Sequence, residues 1–321
     1  TIIASAMNTV GDANAYARGI EVTATTFAGG LSNGGTISAN ALVNGTGIEM
    51  NATGIRFNAS VFSGTIVNSG QIIATASGNT NEVFATGLSV QASTFSGGLT
   101  TAVSNSGSLI ARAGSNGSGA QAFGVSLAGN SIFAGSIVNS GTIAGLITRG
   151  TGLGVGIEVS QTGAVTITNS GLVEGTTWGI SETNTSTNPG TLTINLTGGT
   201  IMGSTTTTGG AIGLSAHADV LNISGGTIVG NVVGGGTANT VNVNMGTGSF
   251  NYAYEIAGIG TLNLKSGALL LQNLTGPGVS AQTYNQSPGT TLALEVSPAA
   301  TNNHASVTAS GTVSLGAGSV L

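Results

Sequence analysis

The chain has 321 residues, of which only 5 are Lys or Arg and 10 are Asp or Glu, with 56 glycines, 4 prolines and no cysteine. The net charge of −5 and the scarcity of basic residues argue against nucleic acid or an anionic membrane as partner, and the lack of cysteine excludes disulfides and thiolate chemistry. Glycine without a Gly-X-Y period excludes collagen, a 40% hydrophobic content argues against disorder, and no apolar run approaches the ~20 residues of a membrane helix.

In chain order, the sequence reads as one unit repeated with variation. "TIIA" (1–4) matches "TISA" (36–39) one interval of 35 residues later, so the chain is expected to begin inside a coil, as part of a longer rod. The start lacks the basic region and apolar core of a signal peptide. "GTIVNSGQIIA" (64–74) returns as "GSIVNSGTIAG" (135–145): a β-branched strand, an Asn-Ser-Gly corner and a second strand. The glycines closing successive corners are Gly35, Gly70, Gly107, Gly141, Gly171, Gly199, Gly226, Gly246, Gly267, Gly289 and Gly311. Their intervals fall from 35 and 37 residues to 20 and then 22. A third strand follows in the early repeats: "GIEV" (19–22), "GIEM" (47–50), "GLSV" (87–90), "GVSL" (124–127) and "GIEV" (156–159). Its alternating apolar and polar residues give it one inner and one outer face.

Three short strands per repeat, with no helical period, predict an all-β fold: a right-handed parallel β-helix (solenoid) of about eleven coils, tapering toward the C-terminus. It forms a single domain over 1–321, with long coils and extended loops in 1–171 and shorter coils in 172–321. One coil alone cannot offset the ordering of its own backbone, so stability is expected to come from ladders to the coils above and below. At each corner Gly is expected to supply positive φ and Asn local backbone bonds. Stacking then aligns Asn33, Asn68, Asn105, Asn139 and Asn169 as a structural ladder of side-chain amides.

The excess residues of the early coils lie in "SANALVNGT" (38–46), "TASGNTNEVFAT" (75–86), "RAGSNGSGAQAF" (112–123) and "GLITRGTGLGV" (145–155). They are expected to form a row of loops on one side, a natural contact surface, from which residues 114–121 can be removed without unfolding. Asn79, Asn81, Asn116 and Gln121 are the candidate contact residues there, joined by Trp178 in "EGTTWG".

Catalytic parts are scarce. His217 and Asp219 in "SAHAD" would share a strand face as a surface pair, and "GLSAH" (213–217) lacks the second glycine of a nucleophile elbow. Glu21, Glu49 and Glu158 recur on the third strand as solvated outward groups, with Glu21 and Glu49 the acids of adjacent coils. Phe250, Tyr252 and Tyr254 fall on one face, which fits either a core stack or a contact patch. No catalytic residue, metal ligand or cofactor site is expected.

The repeats "SGTIVNSGQI" and "AGSIVNSGTIAG", with the ending "TLALEVSPAATNNHASVTASGTVSLGAGSVL", resemble autotransporter passenger domains of Gram-negative bacteria. The resemblance implies a secreted or surface-displayed chain, exported through the periplasm and attached at the outer membrane. It also implies an outer-membrane barrel in the full-length chain, which is expected beyond Leu321. The implied roles are adhesion, aggregation or surface structure without enzymatic activity. The implied partners are further copies of the chain, side by side or end to end, and a host or matrix glycan or protein. The alternative is a polysaccharide-binding or polysaccharide-cleaving β-helix, and cleavage would need a carboxylate cluster in a groove.

Overall fold

The alternation of apolar and polar residues gives each strand an inner and an outer face, and the chain closes the inner faces on one another by coiling. The computed structural model describes residues 1–8, 14–44, 49–79, 82–96, 102–117, 119–127, 132–160, 163–183, 190–206, 208–272, 278–296 and 304–321. Every ladder between its named strands is parallel. Each coil visits three sheets, here named post-corner, middle and pre-corner. The pre-corner strands stack from 31–33 through 66–68, 103–105, 137–139 and 165–169. They continue through 192–196, 220–223, 240–243, 261–264 and 283–286 to 313–315, making eleven rungs. The fold is a parallel β-helix, and Ile2 lies beside Ile37 and Ala4 beside Ala39, as "TIIA" and "TISA" imply.

Inward side chains form columns along the axis. Ile66, Val103, Ile137, Ile167, Ile194 and Leu221 stack in register and are wholly buried, each contributing about 2 kcal/mol. Phe27 stacks on Phe62 with centroids 5.2 Å apart, and Phe57 meets Phe62 edge-on at 4.9 Å. Phe250 and Tyr252 are buried and Tyr254 packs against them, so this triplet belongs to the core. The Tyr252 hydroxyl lies 2.9 Å from the carbonyl oxygens of both Gly230 and Glu255, which share its one proton.

The excess residues of the early coils are chiefly strand, which corrects the expected row of loops. Post-corner strands run outward over 36–43, 71–78 and 108–115, and middle strands return over 49–63, 82–96 and 120–127. Between them lies a second, alanine-lined core that includes Ala39, Ala41, Ala74, Ala76, Ala85 and Ala122. Small side chains let the two sheets close into a thin flange beside the main coil. Ala120 is fully buried and Gly114, Ser115 and Gln121 are ladder residues, so removing 114–121 would cut the flange. From 172–175 onward the post-corner strands shorten and the flange ends, which is the structural content of the taper.

Two further register expectations are corrected. "GIEV" (19–22) stacks on "GIRF" (54–57), not on "GIEM": Ile20 pairs with Ile55, Glu21 with Arg56 and Val22 with Phe57. Glu49 stands beside Glu82 instead. At the C-terminal end, Gly311 separates a middle strand (307–309) from a pre-corner strand (313–315), so the last corner holds Gly318.

The Asn ladder forms as expected. Each of Asn33, Asn68, Asn105 and Asn139 donates from Nδ2 to the Oδ1 of the next at 2.7–2.8 Å, ending at Asn169. Asn105 Nδ2 also reaches the carbonyls of Gly107 and Thr142, at 3.3 and 3.0 Å. The corner glycines beside it serve differently than expected. Gly107 does not have positive φ; a β-carbon there would sit 2.0 Å from the Gly70 carbonyl oxygen. Close stacking, not backbone handedness, demands glycine. From the sixth coil the corner gains one residue, the ladder position becomes Leu196, and Gly199 turns the chain with φ +62. A second amide ladder takes over one position earlier, through Asn195, Asn222, Asn242, Asn263 and Asn285, with links of 2.8–2.9 Å.

Candidate binding face

The outer face of the middle sheet carries the chain's unused aromatic surface. Strand register sets two outward columns: Tyr16, Asn51, Phe84 and Gln121 in one, and Arg18, Thr53, Thr86, Phe123, Val155 and Trp178 in the other. Among the described side chains, Tyr16, Phe84, Phe123 and Trp178 are the aromatics outside the core, and all four lie on this face. They fall on coils 1, 3, 4 and 6 as a trail along the rod. Trp178 lies over two glycines of the next coil; a β-carbon at Gly210 or Gly213 would come within 2.9 or 3.3 Å of its ring.

Where the flange meets the main coil, the middle strand bends and its outer surface becomes concave. The resulting groove has a volume of about 310 Å³, and its lining includes Arg56, Phe84, Gln91, Gln121, Phe123 and Glu158. Arg56 donates to Gln91 Oε1 at 3.0 Å and stands 3.8 Å from Glu21, which Arg18 contacts at 2.8 Å. Burial pushes the Glu158 carboxyl above the usual carboxylate range, while the hydrogen bond from Ser126, 2.8 Å long, pulls the other way. Glu21 and Glu158 occupy one column four rungs apart, about 19 Å at the spacing of parallel strands. A pair of acids that cleaves a glycosidic bond stands roughly 5–9.5 Å apart.

The candidate contact residues therefore divide. Gln121 and Trp178 belong to this face. Asn79 and Asn116 sit at the flange edge, where Asn116 donates to Asn79 across one coil step. Asn81 lies outside the described residues. Spacing alone does not distinguish Phe84 and Phe123 from core residues, because the two belong to different columns.

The buried acids are elsewhere. Residues 214–219 form the bend between the strands 210–213 and 220–223, so His217 and Asp219 do not share a strand. Asp219 is fully buried and accepts from the Leu192 and Ser215 amides, both at 2.9 Å, and from the Ser215 hydroxyl at 2.8 Å. Beside it, Glu182 is pushed up to about 8, by burial first and by Asp219 second, and its Oε2 is enclosed without a hydrogen-bond partner. Glu182 thus keeps its proton in the folded chain through neutral pH, whereas the unfolded chain releases it near 4.5. The folded state binds the extra proton between those values, so stability should fall as pH rises from about 5 to 9. Solvent reaching part of this carboxyl limits the loss to on the order of 2 kcal/mol. Glu182→Gln should flatten that slope in urea unfolding at pH 5, 7 and 9; an unchanged slope would place the titration at another group.

Fold and face together define a β-solenoid with a lateral groove. No family model, curated protein or solved structure matches the chain.

Proposed function

We propose that the chain is an exported, surface-displayed β-helical passenger that serves adhesion or surface structure by binding rather than by catalysis. The observation that carries this reading is the outer face of the middle sheet, where four aromatics and a row of amides, hydroxyls and paired charges face outward on a rigid scaffold. Aromatic rings grouped on one face, Tyr16 exposed and Phe84, Phe123 and Trp178 half-buried, suit a contact site, and ladders along the whole rod hold its side chains in fixed columns. Among the residues that line the groove Glu158 is the one acid, and a glycosidase needs two, which favours binding over cleavage there. Resemblance of the repeats to autotransporter passengers supports export and attachment through an outer-membrane barrel. The scarcity of charge leaves little repulsion against side-by-side packing of copies.

Intact producing cells provide the test. Antibody against residues 1–321 should label them, and external protease should remove the label while a periplasmic marker stays whole. A chain protected from protease until the cells are broken, and fractionating with cytosolic markers, would refute surface display.

A further inference from the structure

We propose that the groove on the middle sheet binds an extended, uncharged, β-linked polysaccharide lying along the rod axis. This deepens the adhesive reading and rests on it for the biological setting, but the site itself stands on geometry. Sugars present two apolar faces and a rim of hydroxyls, so a sugar site needs flat aromatic surface flanked by both donors and acceptors. Phe84 and Phe123 supply the first on adjacent coils. Gln91 and Gln121 supply amides on either side of them, and Glu158 a carboxyl held by Ser126.

Length and charge narrow the class. One coil rises about 4.8 Å, close to the length of one hexose in an extended β-linked chain. A polysaccharide running along the axis therefore meets a new rung at each sugar, whereas a coiled α-linked chain falls out of step. The aromatic trail extends beyond the groove, from Tyr16 on the first coil to Trp178 on the sixth, along that same direction. Arg56 donates to Gln91, and the groove lining sets its one cation, Arg56, against one acid, Glu158, so the site holds no excess positive charge for a uronate or sulfate. A groove of about 310 Å³ sits at the small end of ligand pockets and takes a ring of a chain rather than a protein domain.

The test is calorimetric titration of the whole chain with hexasaccharides of β-1,4-linked glucose and of β-1,4-linked N-acetylglucosamine. An α-1,4-linked glucose hexasaccharide and a polyuronate serve as comparisons. Binding of at least one β-linked probe, in preference to both comparisons, is the expected result. Phe84→Asn and Phe123→Thr adopt the residues that already stand one coil earlier, Asn51 and Thr86, so the ladders survive. Each should weaken binding by about tenfold. Gln121→Leu adopts the residue type of Leu153, its neighbour one coil later; it removes hydrogen bonds without removing a ring and should also weaken binding. Arg112→Ala, on the post-corner sheet, should leave affinity unchanged. Absence of binding to either β-linked probe, preference for the polyuronate, or full affinity in folded Phe123→Thr and Gln121→Leu would overturn the assignment. Those results are separable from the display test: a protected intracellular chain that still binds glycan refutes only display, and a displayed chain blind to glycan refutes only the groove.

Discussion

Asn105→Ala should lower the stability of the whole rod by roughly 3 kcal/mol, a large share of the stability of an ordinary domain. The substitution removes the amide whose two N–H protons serve Asn139 Oδ1 and, shared, the Gly107 and Thr142 carbonyls. It also deprives Asn68 Nδ2 of its acceptor at 2.8 Å. Each lost bond is worth about 1 kcal/mol, and buried groups left unpaired add to the loss. Asn33→Ala should cost less, because Asn33 is the first of its column and its Oδ1 accepts from the exposed Gly35 amide at 3.2 Å rather than from a buried Asn. Asn105→Leu distinguishes amide bonding from volume. Leu196 fills the same slot one corner type later, yet there the turn has an extra residue and a positive-φ glycine. Leu in the shorter corner should therefore be as costly as Ala. Urea unfolding of the full chain measures all three, the midpoint moving while the slope is kept. Equal costs at Asn33 and Asn105 would show that the amides act singly rather than as a ladder.

Gly107→Ala should be at least as damaging, at about 3 kcal/mol or more, for a steric reason. Its β-carbon would meet the Gly70 carbonyl oxygen at 2.0 Å and the Ser69 carbonyl carbon at 2.7 Å. Both atoms are backbone, and the Gly70 oxygen accepts from the Ser108 amide at 2.9 Å, so neither can retreat without breaking the ladder. Gly198→Ala is the natural comparison, since its nearest neighbours would be 3.8 Å away and its φ is ordinary. That change should fall within about 0.5 kcal/mol of the parent. Gly246→Ala isolates the third case: open space but φ +63, for a cost of about 1–2 kcal/mol. If Gly107→Ala were as mild as Gly198→Ala, tight stacking would not be what fixes glycine at the corner.

The period and the five-Asn ladder are legible in the sequence because identical residues recur wherever the coil returns to the same angle. The alignment of "TIIA" with "TISA" succeeds for the same reason. Coil 2 misleads because it contains two Gly-Ile pairs, at 47–48 and 54–55, and vertical fit alone selects the second. Gly311 misleads likewise, since Ser-Gly-Thr also serves a bend between the other two sheets. The flange reads as loop because alanine-rich alternation gives a weak hydrophobic signal, although alternation is present in "SANALV". The second amide ladder does have a signal, the recurring apolar-Asn-apolar of "INL", "LNI", "VNV" and "LNL". The outer face of the middle sheet has none: its aromatics at 16, 84, 123 and 178 fall on one face only after the register of five coil steps is known.

The lengthening of the corner divides the rod into two families of coils, and in the first the parts are interchangeable. In the first five coils the ladder Asn and the first post-corner residue stand three positions apart, as in Asn105 to Ser108 and Asn139 to Thr142. In the sixth, Leu196 and Thr200 stand four apart. A whole coil gained or lost within the first family leaves every carbonyl seam and amide column continuous. Grafting a corner from one family into the other shifts the following strand by one residue, and one residue turns its inward side chains outward. Duplication and loss of coils is therefore free to change the length of this rod on the N-terminal side of that junction, but not across it.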